Sequence, residues 1–290
     1  MVYERGNYFT AWDGKTYNSD IVRACIRPKI KALGKMQRKH TRASVDKSGK
    51  ATMQVNPEAY MYFLLNDPNP YMTGQKLIEK MATQLALNNN AFALILRDEN
   101  GYPVELYPIN CMNCEAIYTD NGALLLKFLM PNGKTFQFSY DDIIHIKNDY
   151  HSNDVFGDSN VQCLTGLMEI VHTTDQGIVN AIKNSSIVKW LLKFNSSMRP
   201  EDVTAKAKEF ADSFLDVSAG IGVAATDAKA DAQQVDSKDY VPNSSQMDKT
   251  TQRIYSFFNV NEKIVQSKYT EDEWNAYYEA QIEPDAIAFQ

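Results

Sequence analysis

The 290-residue sequence lacks the features of a membrane protein, an exported protein or a tight DNA binder. It has no apolar run near the roughly 20 residues that a helix needs to cross a bilayer. Residues 1–20 lack the apolar core of a signal peptide, so we expect folding in the cytosol. Aspartate and glutamate (36) outnumber lysine and arginine (30), for a formal net charge of −6. A protein that grips DNA phosphates tightly is usually basic.

Cysteine is also scarce, and a cytosolic chain keeps its thiols reduced rather than joined in disulfides. The four cysteines are Cys25, Cys111, Cys114 and Cys163. Cys111 and Cys114 have metal-ligand spacing, but zinc would need two more ligands, and only His145 and His151 are candidates. A second CxxC pair and a thioredoxin-like βαβ pattern are both missing. We therefore predict no metal and no cofactor.

The motifs of common enzymes are incomplete. Gly133-Lys-Thr135 resembles a phosphate-binding loop, but Phe128 stands where that loop needs a glycine. The histidines are scattered and accompany no nucleophile elbow, so no catalytic residue is predicted. His145 lies between Ile144 and Ile146, which predicts a strand position that points toward a polar neighbour, opposite the isoleucines.

Hydrophobic periodicity predicts an α+β chain without internal repeats. Helical spacing covers residues 21–33, 58–65, 74–87, 159–184, 199–215 and 244–258, and a capping box at Thr270 and Glu273 opens a last helix that Pro284 should kink. Alternating spacing covers residues 91–97, 102–109, 115–118, 124–130, 134–140 and 143–146. Asn-Gly turns punctuate these strands, which predicts an antiparallel meander. Residues 35–50 are predicted as a loop, residues 187–194 and 220–225 as strands, with a further strand around 233–235.

Six segments, in order along the chain, resemble those of HK97-type phage portal proteins. They are NDPNPYMTG (66–74), NNNAF (88–92), RDENGYPVELYP (97–108), DIIHIK (142–147), DVFGDS (154–159) and KYTEDEWNAYYEAQIEP (268–284). Each segment alone is weak evidence for the family, but the six segments in this order are specific for it. Asn160 replaces the proline that usually follows the GxS serine. The sequence stops at Gln290 within a helical pattern, which predicts that the natural chain continues and that most of the crown is absent.

The resemblance implies a portal-type fold with an antiparallel β-meander wing, long stem helices, a small α/β clip and a truncated C-terminal crown. The expected regions are wing 1–158, first stem helix 159–184, clip 185–240, second stem helix 241–259, tunnel loop 260–269 and the start of a wing-to-crown helix 270–290.

The resemblance also implies a structural, non-enzymatic role. A ring of twelve copies would let double-stranded DNA enter and leave the head at the portal vertex of the virion, after assembly in the host cytoplasm. The implied partners are the terminase large subunit at the clip, head-completion or adaptor proteins, and the major capsid and scaffolding proteins, without a membrane. An acidic chain suits a channel through which DNA must slide, because each phosphate contact adds affinity.

Two sets of site residues follow from this assignment. The DNA-facing tunnel loop would present Lys263, Ile264, Val265, Gln266, Ser267 and Lys268, and the clip interface would use Trp190, Leu192 and Phe194. The two lysines are the only cations of the loop and would form two sparse rings of positive charge. In the alternative interpretation, Ile264 and Val265 tuck the loop against the stem and the lysines are only solvated.

Two other functions remain open from the sequence. The chain could be a different ring or adaptor protein of the virion, which particle images would distinguish by the absence of a stem and wings. It could also be a metal-binding, DNA-processing enzyme that uses Cys111, Cys114, His145 and His151. A metal assay on the pure protein would test that possibility.

Overall fold

The computed structural model describes residues 8–11, 19–45, 51–151, 153–185, 189–194, 199–214, 230–235 and 244–290. The chain divides into a larger unit, Met1–Glu169 with Lys249–Gln290, and a smaller unit, Ile170–Asp248. Among the helices described here, none combines the length and apolarity that crossing a membrane requires.

The first half of the chain alternates between helices and short strands. Its elements are β1 (Tyr8–Thr10), α1 (Asp20–Lys35), β2 (Thr41–Val45), β3 (Ala51–Val55), α2 (Ala59–Asn66), α3 (Gly74–Asn88), β4 (Asn90–Arg97), β5 (Pro103–Ile109), β6 (Asn113–Tyr118), β7 (Leu124–Leu129), β8 (Thr135–Ser139) and β9 (Ile143–Lys147). A 3₁₀ turn at Tyr140–Asp142 joins β8 to β9.

The second half is mainly helical. Its elements are α4 (Val161–Ser185), β10 (Lys189–Phe194), α5 (Pro200–Phe214), β11 (Ala230–Val235), α6 (Ser244–Phe257), α7 (Glu262–Val265), α8 (Glu271–Tyr277) and α9 (Glu283–Ala288). A π-helical segment, Tyr278–Ile282, lies between α8 and α9.

The predicted antiparallel strands are present, but they form two sheets rather than one meander. Their strand orders are β5-β4-β9 and β1-β6-β7-β8. The chain changes sheets because β9 returns to pair with β4, placing Ala91 opposite Ile146, instead of continuing beside β8. At the three Asn-Gly turns, Gly101, Gly122 and Gly133 have φ between 77° and 87°, values that suit glycine in tight hairpins.

Two apolar clusters use the opposite faces of β4. Phe92 points into a cluster that includes Phe128 and Phe156 and joins the two sheets. Its neighbours Ala91 and Ala93 point the other way, against helix α3 and its buried residues. This is the alternation that a strand with period two produces when both of its faces are covered. The small alanines leave room for α3, so sequence and packing agree along this strand.

The predicted loop at residues 35–50 is partly wrong, because β2 pairs with β3 as a hairpin with Thr41 opposite Val55. All ten strand residues are exposed. The strands do alternate, since polar residues separate Ala51, Met53 and Val55, and Ala43 and Val45 lie opposite Met53 and Ala51. The loop prediction followed the basic, polar composition of residues 35–50 and missed this period of two.

The last helices start as predicted. Thr270 accepts a hydrogen bond from the Glu273 backbone, and the Glu273 side chain accepts one from Thr270, which completes the capping box. The expected disturbance at Pro284 takes the form of the π-helical segment just before it, with the proline in the first turn of α9. Because proline has no N–H to donate, the regular helical bond pattern cannot continue through it.

The smaller unit contains most of α4, whose 25 residues match the predicted long helix within two residues at each end. Within it, β10 pairs with β11 in antiparallel fashion, with Lys189 opposite Val235. The strand expected around residues 233–235 is thereby confirmed. The strand predicted at residues 220–225 lies outside the described residues.

Candidate functional site

The paired cysteines do not form a metal centre in the described part of the chain. Cys111 and Cys114 are buried in the apolar cluster between the two sheets. Burial raises the pKa of Cys111 to about 12 and also raises that of Cys114, so both remain protonated, whereas a metal needs thiolates. His151 is exposed. Among the described residues, no three His, Cys, Asp or Glu side chains gather in a way that could hold a metal.

His145 is half-buried beside polar neighbours, as its place in the strand predicted. Its Nε2 lies 3.0 Å from Asn90 Oδ1, its Nδ1 lies 3.3 Å from the Tyr140 hydroxyl, and its ring stacks on Phe92. Burial, with a smaller contribution from the charge of Lys147, lowers the pKa of His145 to about 3. Since Asn90 Oδ1 can only accept, the neutral ring carries its proton on Nε2 and accepts from Tyr140 through Nδ1.

Two asparagines connect this histidine to the segment that precedes α4. Asn90 Oδ1 also accepts from the Gly157 amide (2.9 Å), and its Nδ2 donates to the Gly157 carbonyl (2.9 Å). Asn89, in the left-handed conformation (φ 55°), donates to Asp149 and exchanges hydrogen bonds with Asn160. Three segments far apart in sequence are thus joined at the start of α4. We call Asn89, Asn90, His145 and Gly157 the asparagine hub.

Gly157 is the tightest point of the asparagine hub. A Cβ there would lie 2.2 Å from the Asn148 carbonyl oxygen and 2.5 Å from the Asn89 carbonyl oxygen. Backbone atoms cannot move aside as a flexible side chain can, so only glycine fits. From the sequence, the segments NNNAF and DVFGDS supported the family resemblance, but no role was predicted for their polar residues. Consecutive asparagines between a helix and an apolar strand were the available signal.

The loop between α6 and α8, residues 260–269, contains the short helix α7. Asn261 caps α7, since its Oδ1 accepts from the Ile264 amide (2.9 Å). Ile264 is 1% exposed, while Val265 is half-buried. The loop is therefore anchored at two buried apolar side chains, Val260 and Ile264, and residues 266–268 are exposed.

The two lysines of this loop differ in their surroundings. Lys263 forms an ion pair with Glu273 at the start of α8 and keeps its side chain 60% exposed. Lys268 is exposed and follows Ser267, whose φ of 59° turns the chain sharply. Gln266 donates to Glu262 (2.6 Å) within the loop. Both charges can reach solvent or a ligand, and neither is needed to fill the core.

Three residues predicted for the clip lie on β10. In the register of the hairpin, Trp190, Leu192 and Phe194 are opposite Gln234, Ala232 and Ala230. They occupy alternate positions along the strand.

Comparison with known proteins identifies the family. The family model described as "Phage portal protein" matches residues 20–290. No curated protein matches the chain.

Solved structures share the fold at low sequence identity. The crystal structure of an HK97 family phage portal protein from Corynebacterium diphtheriae has a TM-score of 0.57 at 11% identity, covering 98% of this chain and 89% of that chain. A chain in the neck of an empty gene transfer agent particle has a TM-score of 0.69 at 13% identity, covering 99% and 81%. A chain in the neck of the native gene transfer agent particle, computed with C12 symmetry, has a TM-score of 0.66 at 13% identity, covering 99% of this chain and 81% of that chain. Since the family match extends over nearly its whole length, the chain belongs to the phage portal protein family and is a structural connector subunit, not an enzyme.

Proposed function

We propose that this chain forms a ring of twelve copies at the portal vertex of a virion, around a channel for double-stranded DNA. The family match over residues 20–290 carries this proposal. The fold shared with a chain from a neck of twelvefold symmetry supports the ring size. The ring would assemble in the host cytoplasm and need no chemistry of its own.

The regions of such a ring follow the described elements. The two sheets and the helices packed on them form the wing, within residues 1–158. α4 is the first stem helix, the unit with β10, α5 and β11 is the clip, and α6 is the second stem helix. The segment from Thr270 to Gln290 begins the wing-to-crown helix. The proposed partners are the terminase large subunit, which would dock on the clip, head-completion or adaptor proteins, and the major capsid and scaffolding proteins.

Exposed apolar side chains support assembly from several copies. On α2, Tyr60, Tyr62 and Phe63 are between 41% and 62% exposed. The Tyr60 ring packs edge-on against the Tyr102 ring, with 5.7 Å between the ring centroids. The β2–β3 hairpin adds Val45, Met53 and Val55, each more than half exposed. Groups of exposed large apolar residues commonly mark interaction surfaces, and a two-stranded hairpin alone is marginally stable. Contact with a neighbouring copy would cover both.

DNA would pass the tunnel loop at residues 260–269, where Lys263 and Lys268 repeat around the channel. Exposed lysines make weak, salt-screened phosphate contacts, which suit transient contact with a moving duplex. Ile264, buried in the single chain, would hold each loop in place while Val265, Gln266 and Ser267 approach the DNA. Trp190, Leu192 and Phe194 would close the clip, alone or with a strand from a neighbour.

Negative-stain electron microscopy of the purified chain tests the ring. Class averages with a central hole, a stem and wings support the portal assignment, and rings without a stem favour another adaptor of the virion. Monodisperse monomers at high concentration contradict the ring.

The loop is tested in a phage that still builds portal-containing heads. Replacing Lys263 and Lys268 together by alanine should reduce the DNA retained per head. Lys39→Ala with Lys134→Ala removes the same charge at exposed sites outside the loop. If heads of the loop variant hold as much DNA as these controls, the lysines have no role in packaging.

A further inference from the structure

A cationic groove runs between α1 and α3 in the larger unit. It encloses about 640 Å³, and five cations line it against a single carboxylate. The cations are Arg23, Arg27 and Lys31 on α1, and Lys76 and Lys80 on α3. Ile26, Ile30, Met72 and Leu87 also line the groove. A concentration of positive charge in a chain of net charge −6 is unexpected and calls for an anionic partner.

Glu79 is the single carboxylate among the described residues that line the groove. Glu79 accepts hydrogen bonds from Lys31 (3.0 Å) and Lys76 (2.7 Å). Burial alone would raise the pKa of Glu79, but these bonds outweigh it and lower the pKa to about 2. The cations on α1 follow each other at intervals of four residues, as do Lys76 and Lys80 on α3. Like charges one turn apart destabilise a helix, and an anionic surface in the groove would offset that repulsion.

The complementary surface lies on the last helices of the same unit. Glu271, Asp272, Glu279 and Glu283 are all exposed there. Glu279 and Glu283 are four residues apart, so they too repel each other. Ile287, one turn beyond Glu283, is 63% exposed. We call these four carboxylates and Ile287 the acidic stripe, which combines negative charge with an apolar side chain as the groove combines cations with apolar residues.

We propose that the acidic stripe of one copy docks in the cationic groove of the next copy, forming the contact that repeats around the ring. The proposal rests on the ring assembly described above and assigns residues to its subunit interface. Because the two surfaces differ, the contact is head-to-tail, and a head-to-tail contact closes into a ring when its rotation divides a full turn. The apolar groups lie at the centre of the contact, and the charges set its direction.

The test is a charge exchange in the full-length chain. The groove variant carries Arg27→Glu and Lys80→Glu, which leave the Glu79 hydrogen bonds intact. The stripe variant carries Glu279→Lys and Glu283→Lys. In each variant alone, every junction joins an altered surface of zero net charge to an unaltered one, so we expect ring formation to fall about tenfold or more. In an equal mixture of the two, half of the junctions in an alternating ring join two unaltered surfaces and the other half join the two altered ones, whose exchanged residues are again of opposite sign, so rings should return.

Controls separate this contact from general effects of charge. Lys39→Glu with Lys134→Glu changes the net charge as the groove variant does, and Glu99→Lys with Asp120→Lys changes it as the stripe variant does. All four sites are exposed. Both control proteins should form rings like the wild type. Circular dichroism melts establish that every variant is folded before assembly is scored by microscopy and sedimentation.

The outcomes distinguish this contact from the ring itself. If the wild type forms rings and either variant alone also forms them, the proposed contact is wrong, but the portal ring is supported. If the wild type forms rings but the equal mixture stays dissociated, the proposed contact is wrong as well. If the wild type forms no ring but associates in a salt-sensitive way that each variant alone loses and the mixture restores, the contact stands and the ring fails. If neither associates, both fail.

Discussion

Within the larger unit, the segment before α4 and the loop after α6 are held in place by different kinds of contact. The segment before α4 is fixed by the asparagine hub, whose buried hydrogen bonds join residues about 70 positions apart. The loop after α6 is held by the Asn261 cap and by the buried apolar side chains of Val260 and Ile264, with α7 packed against α1. A buried polar network is costly to disturb, whereas exposed loop contacts are replaced by water. The first segment therefore suits a rigid joint, and the second suits contact with a passing ligand.

The largest effect should come from Gly157→Ala. The added Cβ meets two backbone oxygens, at 2.2 Å and 2.5 Å, so the segment before α4 must shift and lose its hydrogen bonds. We expect a loss of about 3 kcal/mol or more in the free energy of unfolding. Denaturant unfolding of the full chain measures it.

Gly166→Ala is the matched control, since nothing lies within 4 Å of its Cβ on α4. This change should stabilise by about 0.5–1 kcal/mol, because alanine favours a helix interior over glycine. Equal effects of the two substitutions would contradict the tight fit at Gly157.

Asn90→Ala should have the next largest effect. It removes the acceptor for the Gly157 amide and for His145 Nε2 and leaves both buried without their partner. Each unsatisfied buried group costs about 1–3 kcal/mol, and we expect a loss of about 2–4 kcal/mol in total. The control is Asn66→Ala, whose side chain donates only to the exposed carbonyl of Tyr62. A loss at Asn90 no greater than at Asn66 would show that the hub is dispensable.

The asparagine hub also predicts a pH dependence through His145. Its folded pKa of about 3 lies below its ordinary value of 6.5, so the unfolded chain binds the extra proton between these values. Stability is therefore full above pH 6.5 and falls as the pH decreases toward 3. Glu79 adds to the loss only below about pH 4.5, because its folded pKa is about 2.

His145→Gln isolates the contribution of the histidine, since glutamine stays neutral at every pH. Between pH 6.5 and 5, the wild type should lose stability and the variant should lose clearly less. Parallel melting curves of the two proteins across that window would argue against a buried neutral His145.

In the loop, Asn261→Ala should be milder. Losing the bond from the Ile264 amide removes the cap of α7, a change typically worth about 1 kcal/mol. The exposed Asn132→Ala, at a hairpin turn, provides a comparison where no helix cap is lost. A loss at Asn261 as large as that at Asn90 would mean that the loop is as rigid as the asparagine hub.

Much of the fold could be predicted from the sequence, for identifiable reasons. The Asn-Gly turns marked three hairpins because their glycines need positive φ, and the capping box marked the start of α8. The sheet exchange between β8 and β9 could not be predicted, because period two reports which residues share a face and not which strands pair. The β2–β3 hairpin was missed because the basic, polar composition before it outweighed the alternation of Ala51, Met53 and Val55 with polar residues.

The sites were less accessible to sequence reasoning. The role of Asn89 and Asn90 depends on Gly157 and His145, which lie 55 to 68 positions away, and only the fold brings them together. The positions of Lys263 and Lys268 in a loop could be predicted from the helix boundaries around them. Their task in a ring remains a prediction, because it depends on neighbouring copies and on DNA.

The smallest effect on stability should come from Lys263→Ala. Its ion pair with Glu273 is exposed, and an exposed pair gains little because water and salt screen its charges. We therefore expect a melting temperature indistinguishable from that of the wild type, while the same change together with Lys268→Ala lowers the DNA retained in heads. Thr270→Ala is the comparison at the same junction, since it breaks the capping box and should lower the melting temperature measurably. If Lys263→Ala destabilises the chain as much as Thr270→Ala does, the lysine is a structural part of the loop, and reduced packaging could no longer be assigned to its charge.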